Sequence, residues 1–276
     1  MYAMDFEYAD KRLSDFNCTT CTISSSSGVQ EVNIGCDITF STVKNYHTFK
    51  QSRTSSSYDS VYATDFQIMK NEEDNEENKY FTYEEVRAIY RWLNRHEYSK
   101  FKPLPDDGQD YDVHYFGSFN IDEVFLNGKI IGLTLHFVSN APYGFGEENR
   151  FQITISEENN TFSLFGDSDE VNHTIYPKVV IHCLSDTGED GLTIKNHTTG
   201  AMVHIKNCLT NEVLTIDGEY KIITSSNEGH TTLPNDFNYE YLDIEVNADD
   251  DLENIYEVSA PCEILITYSP IRKVGV

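Results

Sequence analysis

Residues 82–101, TYEEVRAIYRWLNRHEYSKF, carry the one sustained helical period in a chain that otherwise breaks into short alternating runs. A lone helix among strands constrains the fold strongly, because its apolar stripe has to be covered by a sheet. Thr82 and Glu85 have the capping-box spacing, a hydroxyl for the third helical amide and a carboxylate reaching back. Val86, Ile89, Tyr90 and Leu93 recur at i, i+3, i+4, i+7 and share one face of a helix about 25 Å long. Arg87, Arg91 and Arg95 run down the opposite side with Glu84. Trp92, the only tryptophan, falls on the flank with Ala88 and His96. Two readings follow. Either Trp92 widens the buried face, or Trp92, Arg91 and Arg95 meet a neighbouring subunit, where Trp and Arg are enriched.

Around this helix the chain is strand-like. Phe6, Tyr8, Leu13 and Phe16 flank a turn at Ala9-Asp10-Lys11. Residues 31–40, EVNIGCDITF, alternate strictly and predict a half-buried strand with Cys36 on its inner face. The Ser-rich residues 51–60 predict a loop, Tyr58–Met69 a strand, and the acidic run 71–78 a solvated link into the helix. Pro103 and Pro105 are expected to stop the helix. Asn127-Gly128 predicts a type I′ hairpin turn, with Leu133, Leu135 and Phe137 facing inward and His136 outward. Residues 139–146, SNAPYGFG, break the pattern and divide the chain into expected domains at 1–140 and 141–276. Beyond them, some ten short strands separated by turns such as Asp217-Gly218 imply a β-sandwich. The fold class is therefore mainly β, with one helix in the first domain.

The charge narrows the partners. Against 46 acidic residues stand 20 basic ones, a formal charge of −26, which repels phosphates at long range. Sequence-specific nucleic-acid binding and adhesion to an anionic membrane are not expected. No stretch approaches the ~20 apolar residues of a membrane span, and the opening MYAMDFEYADKRL has charges where a signal peptide needs an apolar core. A reducing cytosol with free thiols is the expected setting for synthesis.

Motifs that would carry catalysis fail on inspection. Cys18-Thr-Thr-Cys21 has CxxC spacing but no second pair to complete a zinc ribbon and no helix to follow it. His204 and Cys208 are four residues apart in a strand-and-turn region, where that spacing does not bring side chains together. The stretch Asn247–Val258 starts like a calcium loop but has Leu252 where glycine is required and Val258 where a bidentate Glu is required. No phosphate-binding loop and no nucleophile elbow occurs. The chain is read as a non-enzyme with no cofactor and no metal.

Several segments, in order, resemble one family. MYAMDFEYADKRLSDF, FTYEEVRAIYRWLNRHEYSKFKPL, GLTLHFVSNAPYGFG and ENIYEVSAPCEILITYSPIRKVGV together look like the distal tail proteins of siphophages and prophages of Gram-positive bacteria. The resemblance implies an N-terminal belt domain, a C-terminal galectin-like sandwich and assembly into a homohexameric ring at the virion tail tip. It also implies contact with the tail tube protein, the tail-associated hub protein and a receptor-binding protein. Arg91, Trp92 and Arg95 are then the candidate subunit contacts. The alternative is a carbohydrate-binding sandwich, but the second half offers no tryptophan platform; only tyrosines such as Tyr220 and Tyr239 could replace one.

Overall fold

The structure is a computed structural model describing residues 3–21, 37–45, 48–58, 60–71, 79–105, 111–171, 174–247 and 252–273. Two compact units emerge: residues 1–146, which Arg272 and Lys273 rejoin, and residues 147–271.

The first unit runs β1 (Ala3–Tyr8), β2 (Lys11–Arg12), a 3₁₀ turn (Leu13–Phe16), β3 (Cys18–Cys21), β4 (Asp37–Asn45), β5 (Thr48–Ser57), β6 (Ala63–Lys70), α1 (Tyr83–Leu93), β7 (Ser99–Pro105), β8 (Tyr115–Leu126), β9 (Lys129–Ser139) and β10 (Gly144–Phe145). Among the described residues, seven strands form one antiparallel sheet in the order β2-β1-β7-β8-β9-β6-β3, while β4 and β5 pair only with each other. Asn127 and Gly128 both have positive φ, the type I′ geometry that joins β8 to β9. Gly117 on β8 is required by packing, because a Cβ there would lie 2.4 Å from the Phe137 ring.

Helix α1 is shorter than the periodicity predicts. It starts at the expected cap: the Glu85 amide donates to Thr82 Oγ1 (3.3 Å) and the Thr82 amide to Glu85 Oε2 (2.7 Å). It stops at Leu93, because Asn94 turns to an extended conformation and Phe101 is needed as a core residue of β7. The prolines stop nothing. Pro103 and Pro105 sit in β7 where it pairs with β1 alone, so their missing amides leave no ladder bond open toward β8. The expected Ser-rich loop is likewise corrected, since residues 51–57 continue β5 through backbone pairing with β4. Of the predicted strand 31–40, residues 31–36 with Cys36 lie outside the described residues, as does 72–78 of the acidic run.

The second unit contains β11 (Asn149–Ile155), β12 (Thr161–Phe165), β13 (Thr174–Ile175), β14 (Lys178–Cys183), β15 (Leu192–Asn196), β16 (Met202–Ile205), β17 (Val213–Asp217), β18 (Ile222–Ser225), a one-turn helix α2 (Leu233–Asp236), β19 (Ile244–Glu245), β20 (Glu253–Val258) and β21 (Cys262–Tyr268). Ile271–Arg272 follow as β22. A five-stranded sheet, β11-β21-β14-β17-β18, faces a four-stranded one, β12-β20-β15-β16. The alternation of each strand sends Val179, Ile181, Leu214, Ile216, Ile264 and Ile266 from one sheet and Leu164, Ile194, Val203, Ile205 and Val258 from the other into a shared core. This is a β-sandwich.

Candidate assembly surfaces

The helix face expected to be divided between core and partner is not. Trp92 is 2 % exposed, with its ring between Phe6 (centroids 5.4 Å apart, 6° between planes) and Phe16 (4.5 Å, 12°). Its indole N–H donates to the Tyr8 carbonyl at 2.6 Å. A fully buried indole needs such a partner for its N–H. Trp92 is therefore a core residue of its own unit and presents nothing to a neighbour. The candidate subunit contact narrows to the arginines. Arg91 and Arg95 are exposed, and Arg95 Nε donates to the Trp92 carbonyl at 2.9 Å, near the helix C-terminus where cations are favoured.

Beneath the helix start lies a hidden cation. Lys70 is buried, with Nζ 2.7 Å from Glu85 Oε1 and 3.5 Å from the Tyr80 carbonyl. Burial works against the Glu85 charge, yet the hydrogen bonds from Lys70 and Thr82 outweigh it and hold the carboxyl below its ordinary value. One carboxylate thus serves both the cap and the ion pair, fixing α1 to β6.

Exposed aromatic side chains cluster at the margins of the first unit. Tyr83 (77 % exposed) stands at the first position of α1, Tyr98 follows the helix, and Phe125 (60 %) with Leu126 forms the tip of the β8–β9 hairpin. Large apolar groups held out this far are the type that partner surfaces cover. The sheet face without the helix is polar. There His136 on β9 stands opposite Asp65 on β6, with Nδ1 2.8 Å from Asp65 Oδ1 and Nε2 3.1 Å from Asp122 Oδ2. The hydrogen bond to Asp65, seconded by Asp122, raises the imidazole's pKa. The sequence placed His136 outward but gave no sign of its two carboxylates, which lie 71 and 14 residues away.

In the second unit a buried polar cluster escaped the sequence reading. His230 is bracketed by Glu212 (Nδ1–Oε1 2.7 Å) and Asp236 (Nε2–Oδ2 3.2 Å). Glu212 also accepts from Ser225 and the Leu209 amide, and Asp236 from Asn207. Burial alone would lower the His230 pKa, but the two carboxylates overcome it and raise it. Tyr220 (71 % exposed) and Tyr239 (61 %) project from this unit. Nearby, the Lys221 ammonium sits 3.3 Å from the centre of the Tyr176 ring and 4.4 Å from that of Tyr241. Lys221 and Tyr239 both have positive φ, uncommon for bulky side chains.

The cysteines expected to be inert or unpaired fall on strands. Cys18 is buried on β3 with its thiol pushed up to about 12 by burial, and Cys21, at the strand end, is half-buried. His204 Nε2 lies 3.1 Å from the Asp190 carbonyl, while Cys208 is in the core. Among the described residues no group of three or more His, Cys, Asp or Glu is arranged to hold a metal, and no helix is long and apolar enough to cross a membrane.

These surfaces belong to a chain whose two halves both match phage tail models. Residues 1–141 match the phage tail protein N-terminal domain and residues 143–268 the phage tail C-terminal domain, so the chain belongs to this family of phage tail proteins. Its fold is that of the Dit protein of phage SPP1, described as a paradigm of the hub adsorption apparatus in phages infecting Gram-positive bacteria. The two superpose with a TM-score of 0.62 at 12 % identity, over 96 % of this chain and 98 % of that one. A chain of the phage P2 baseplate in its activated conformation with calcium aligns with a TM-score of 0.46 at 10 % identity, over 99 % of both chains. No curated protein sequence matches.

Proposed function

We propose that this protein is a structural, non-enzymatic subunit of the phage tail tip that closes into a homohexameric ring. The ring joins the tail tube to the tail-associated hub protein and carries receptor-binding proteins. The observation that carries this reading is the end-to-end correspondence of fold with the SPP1 hub protein, in a chain whose two halves both belong to a tail family. The first unit supplies the ring contacts in this reading, the second a docking module. Arg91 and Arg95, exposed beside Tyr98, are the proposed contact residues on α1. The β4–β5 hairpin supports the same role, because a two-stranded ribbon is marginal by itself in water and gains stability against a neighbouring copy. The chain is made in the host cytoplasm and ends in the virion.

Light scattering across concentration, with negative-stain images of the same sample, tests the ring. Closed rings with a central hole are expected, and Arg91→Glu is expected to shift them toward monomers without unfolding the chain. Immunogold labelling of intact virions tests the location. Label along the tail shaft or on the capsid, with none at the distal end, overturns the assignment.

A second reading, a carbohydrate-binding module, is favoured by one observation: Tyr220 and Tyr239 are held outward beside the Lys221 clamp on a strained backbone. A glycan array separates the two readings, since the ring protein is expected to give no signal that Tyr220→Ala or Tyr239→Ala removes.

A further inference from the structure

Three thiols of the second unit meet in the sandwich core. Cys183 ends β14, Cys262 opens β21 directly opposite it, and Cys208 lies in the turn before β17. All are 1 % exposed or less. Hydrogen bonds fix their order. The Cys183 thiol donates to Cys208 Sγ, and the Cys208 thiol is directed at the Ile205 carbonyl, 3.5 Å away. The backbones are pinned on both sides of that contact. Cys183 N–H donates to the Glu212 carbonyl (2.9 Å) and Asn211 N–H to the Cys183 carbonyl (2.8 Å). Thr187 N–H donates to the Cys208 carbonyl (3.0 Å), and Cys208 N–H to Thr187 Oγ1 (3.1 Å). Two sulfurs in hydrogen-bond contact on tethered backbones need little movement to bond.

We propose that Cys183 and Cys208 are a redox modification site, which a peroxide converts into an intramolecular disulfide that locks the 183–208 loop onto the sandwich. The roles are unequal. The hydrogen bond from Cys183, helped by Thr187, holds the Cys208 thiol down to about 7 against the burial that opposes it. Donating that bond, together with burial, pushes Cys183 far up, and burial pushes Cys262 up to about 12. Cys208 is therefore the attacking thiolate and Cys183 the resolving thiol. Glu212 and His230 are the charged groups that face the pair.

The Cys208 thiolate attacks one oxygen of hydrogen peroxide. A sulfur–oxygen bond forms, the oxygen–oxygen bond breaks, and the departing hydroxide takes a proton to become water. The Cys183 sulfur then displaces the hydroxyl from Cys208. The sulfur–sulfur bond forms, the sulfur–oxygen bond breaks, and the hydroxyl leaves as a second water with the Cys183 proton. The two thiols are oxidised by two electrons and the peroxide is reduced by two. Burial restricts the oxidant to a molecule of this size. The site would serve a protein folded with free thiols and used outside the cell. That setting rests on the tail-tip reading; the chemistry does not.

The test treats the purified full chain with hydrogen peroxide, quenches, alkylates under denaturing conditions and maps peptides without reduction. The expected product is a Cys183–Cys208 cross-link, two hydrogens lighter, reversed by dithiothreitol, with Tm raised by several degrees. Cys208→Ser is expected to abolish the link, whereas Cys262→Ser leaves it in place. A Cys183–Cys262 link, recovery of all three thiols alkylated, or overoxidation without a link each overturns the proposal. The wild-type map decides even if a variant fails to fold, and it is read on the isolated chain, so failure of ring assembly does not alter it.

Discussion

The two units bury their cores with different chemistry. In the first, Phe6, Tyr8, Phe66, Trp92, Phe101, Tyr115, Phe119 and Phe137 meet ring against ring, many pairs within 6 Å. In the second, the shared interior is mostly Val, Ile and Leu, with the ring pair Phe162–Tyr256 toward one side. The geometry explains the contrast. A single helix on a twisted sheet leaves wedge-shaped gaps, and a few wide rings fill them. Two sheets stacked about 10 Å apart offer a uniform layer that β-branched residues on pleated strands fill evenly. The first core is thus concentrated in a few side chains and the second is distributed.

The sharpest way to break that comparison is Trp92→Ala. It removes the ring between Phe6 and Phe16 and leaves the Tyr8 carbonyl without its donor. A loss of about 3–5 kcal/mol is expected. Chemical denaturation followed by separate probes of the two units is expected to show the first transition moving and the second fixed. A loss under about 1 kcal/mol would mean that the aromatic core is not concentrated at all.

How far this residue was legible shows where sequence reasoning stops. The capping box at Thr82 and Glu85 gave the start of α1, because both partners are local. The end was lost, because it is decided by Phe101 entering β7, a tertiary requirement that overrides a continuing helical period. Trp92 sat at the edge of the helical stripe, and no spacing rule says that β1 and the following 3₁₀ turn supply Phe6 and Phe16 to close over it. The strand β5 was illegible for another reason. Its Ser-rich stretch carries no apolar alternation, and it is a strand only through backbone pairing with β4. The second unit was easier, since the strands between 161 and 217 alternate cleanly and end in turn residues. Its His230 cluster was not, because Glu212 and Asp236 reach the imidazole only through the fold.

His230→Leu is expected to have the next largest effect. The Glu212 side chain is fully buried, and removing the imidazole leaves it only the Ser225 and Leu209 donors, at a cost of about 2–3 kcal/mol. Its pH dependence fixes the sign. The folded His230 pKa is raised from 6.5, so its contribution is complete below 6.5 and is lost as pH rises through the folded value. The folded Glu212 pKa is lowered from 4.5, so its share is present above 4.5 and is lost as pH falls through the folded value. The gap between wild type and variant is therefore expected to be widest between about 4.5 and 6.5. A constant gap from pH 4 to 9 would show that the imidazole packs there without its charge.

The distributed core predicts small effects from single truncations. Ile264→Val, fully buried on β21, is expected to cost about 1 kcal/mol, because neighbouring Val and Ile side chains share the lost contacts. A cost above about 3 kcal/mol would place a keystone in the sandwich and erase the contrast with Trp92.

The smallest effect is expected at His136, and it isolates burial as the variable. Like His230, this imidazole lies between two carboxylates, but its side chain is one-third exposed and those of Asp65 and Asp122 mostly so. Water and salt screen such a pair, so His136→Asn is expected to change stability by no more than about 0.5 kcal/mol. The sign matches that at His230: the folded pKa is raised from 6.5, and whatever the ion pairs contribute is lost as pH rises through the folded value. Ionic strength separates the two sites. The His136 contribution should fade between low and physiological salt, while the His230 contribution persists because the surrounding protein excludes the screening ions. Equal salt sensitivity at both would mean that the His230 network opens to solvent in the native state, and the second unit would then be the looser of the two.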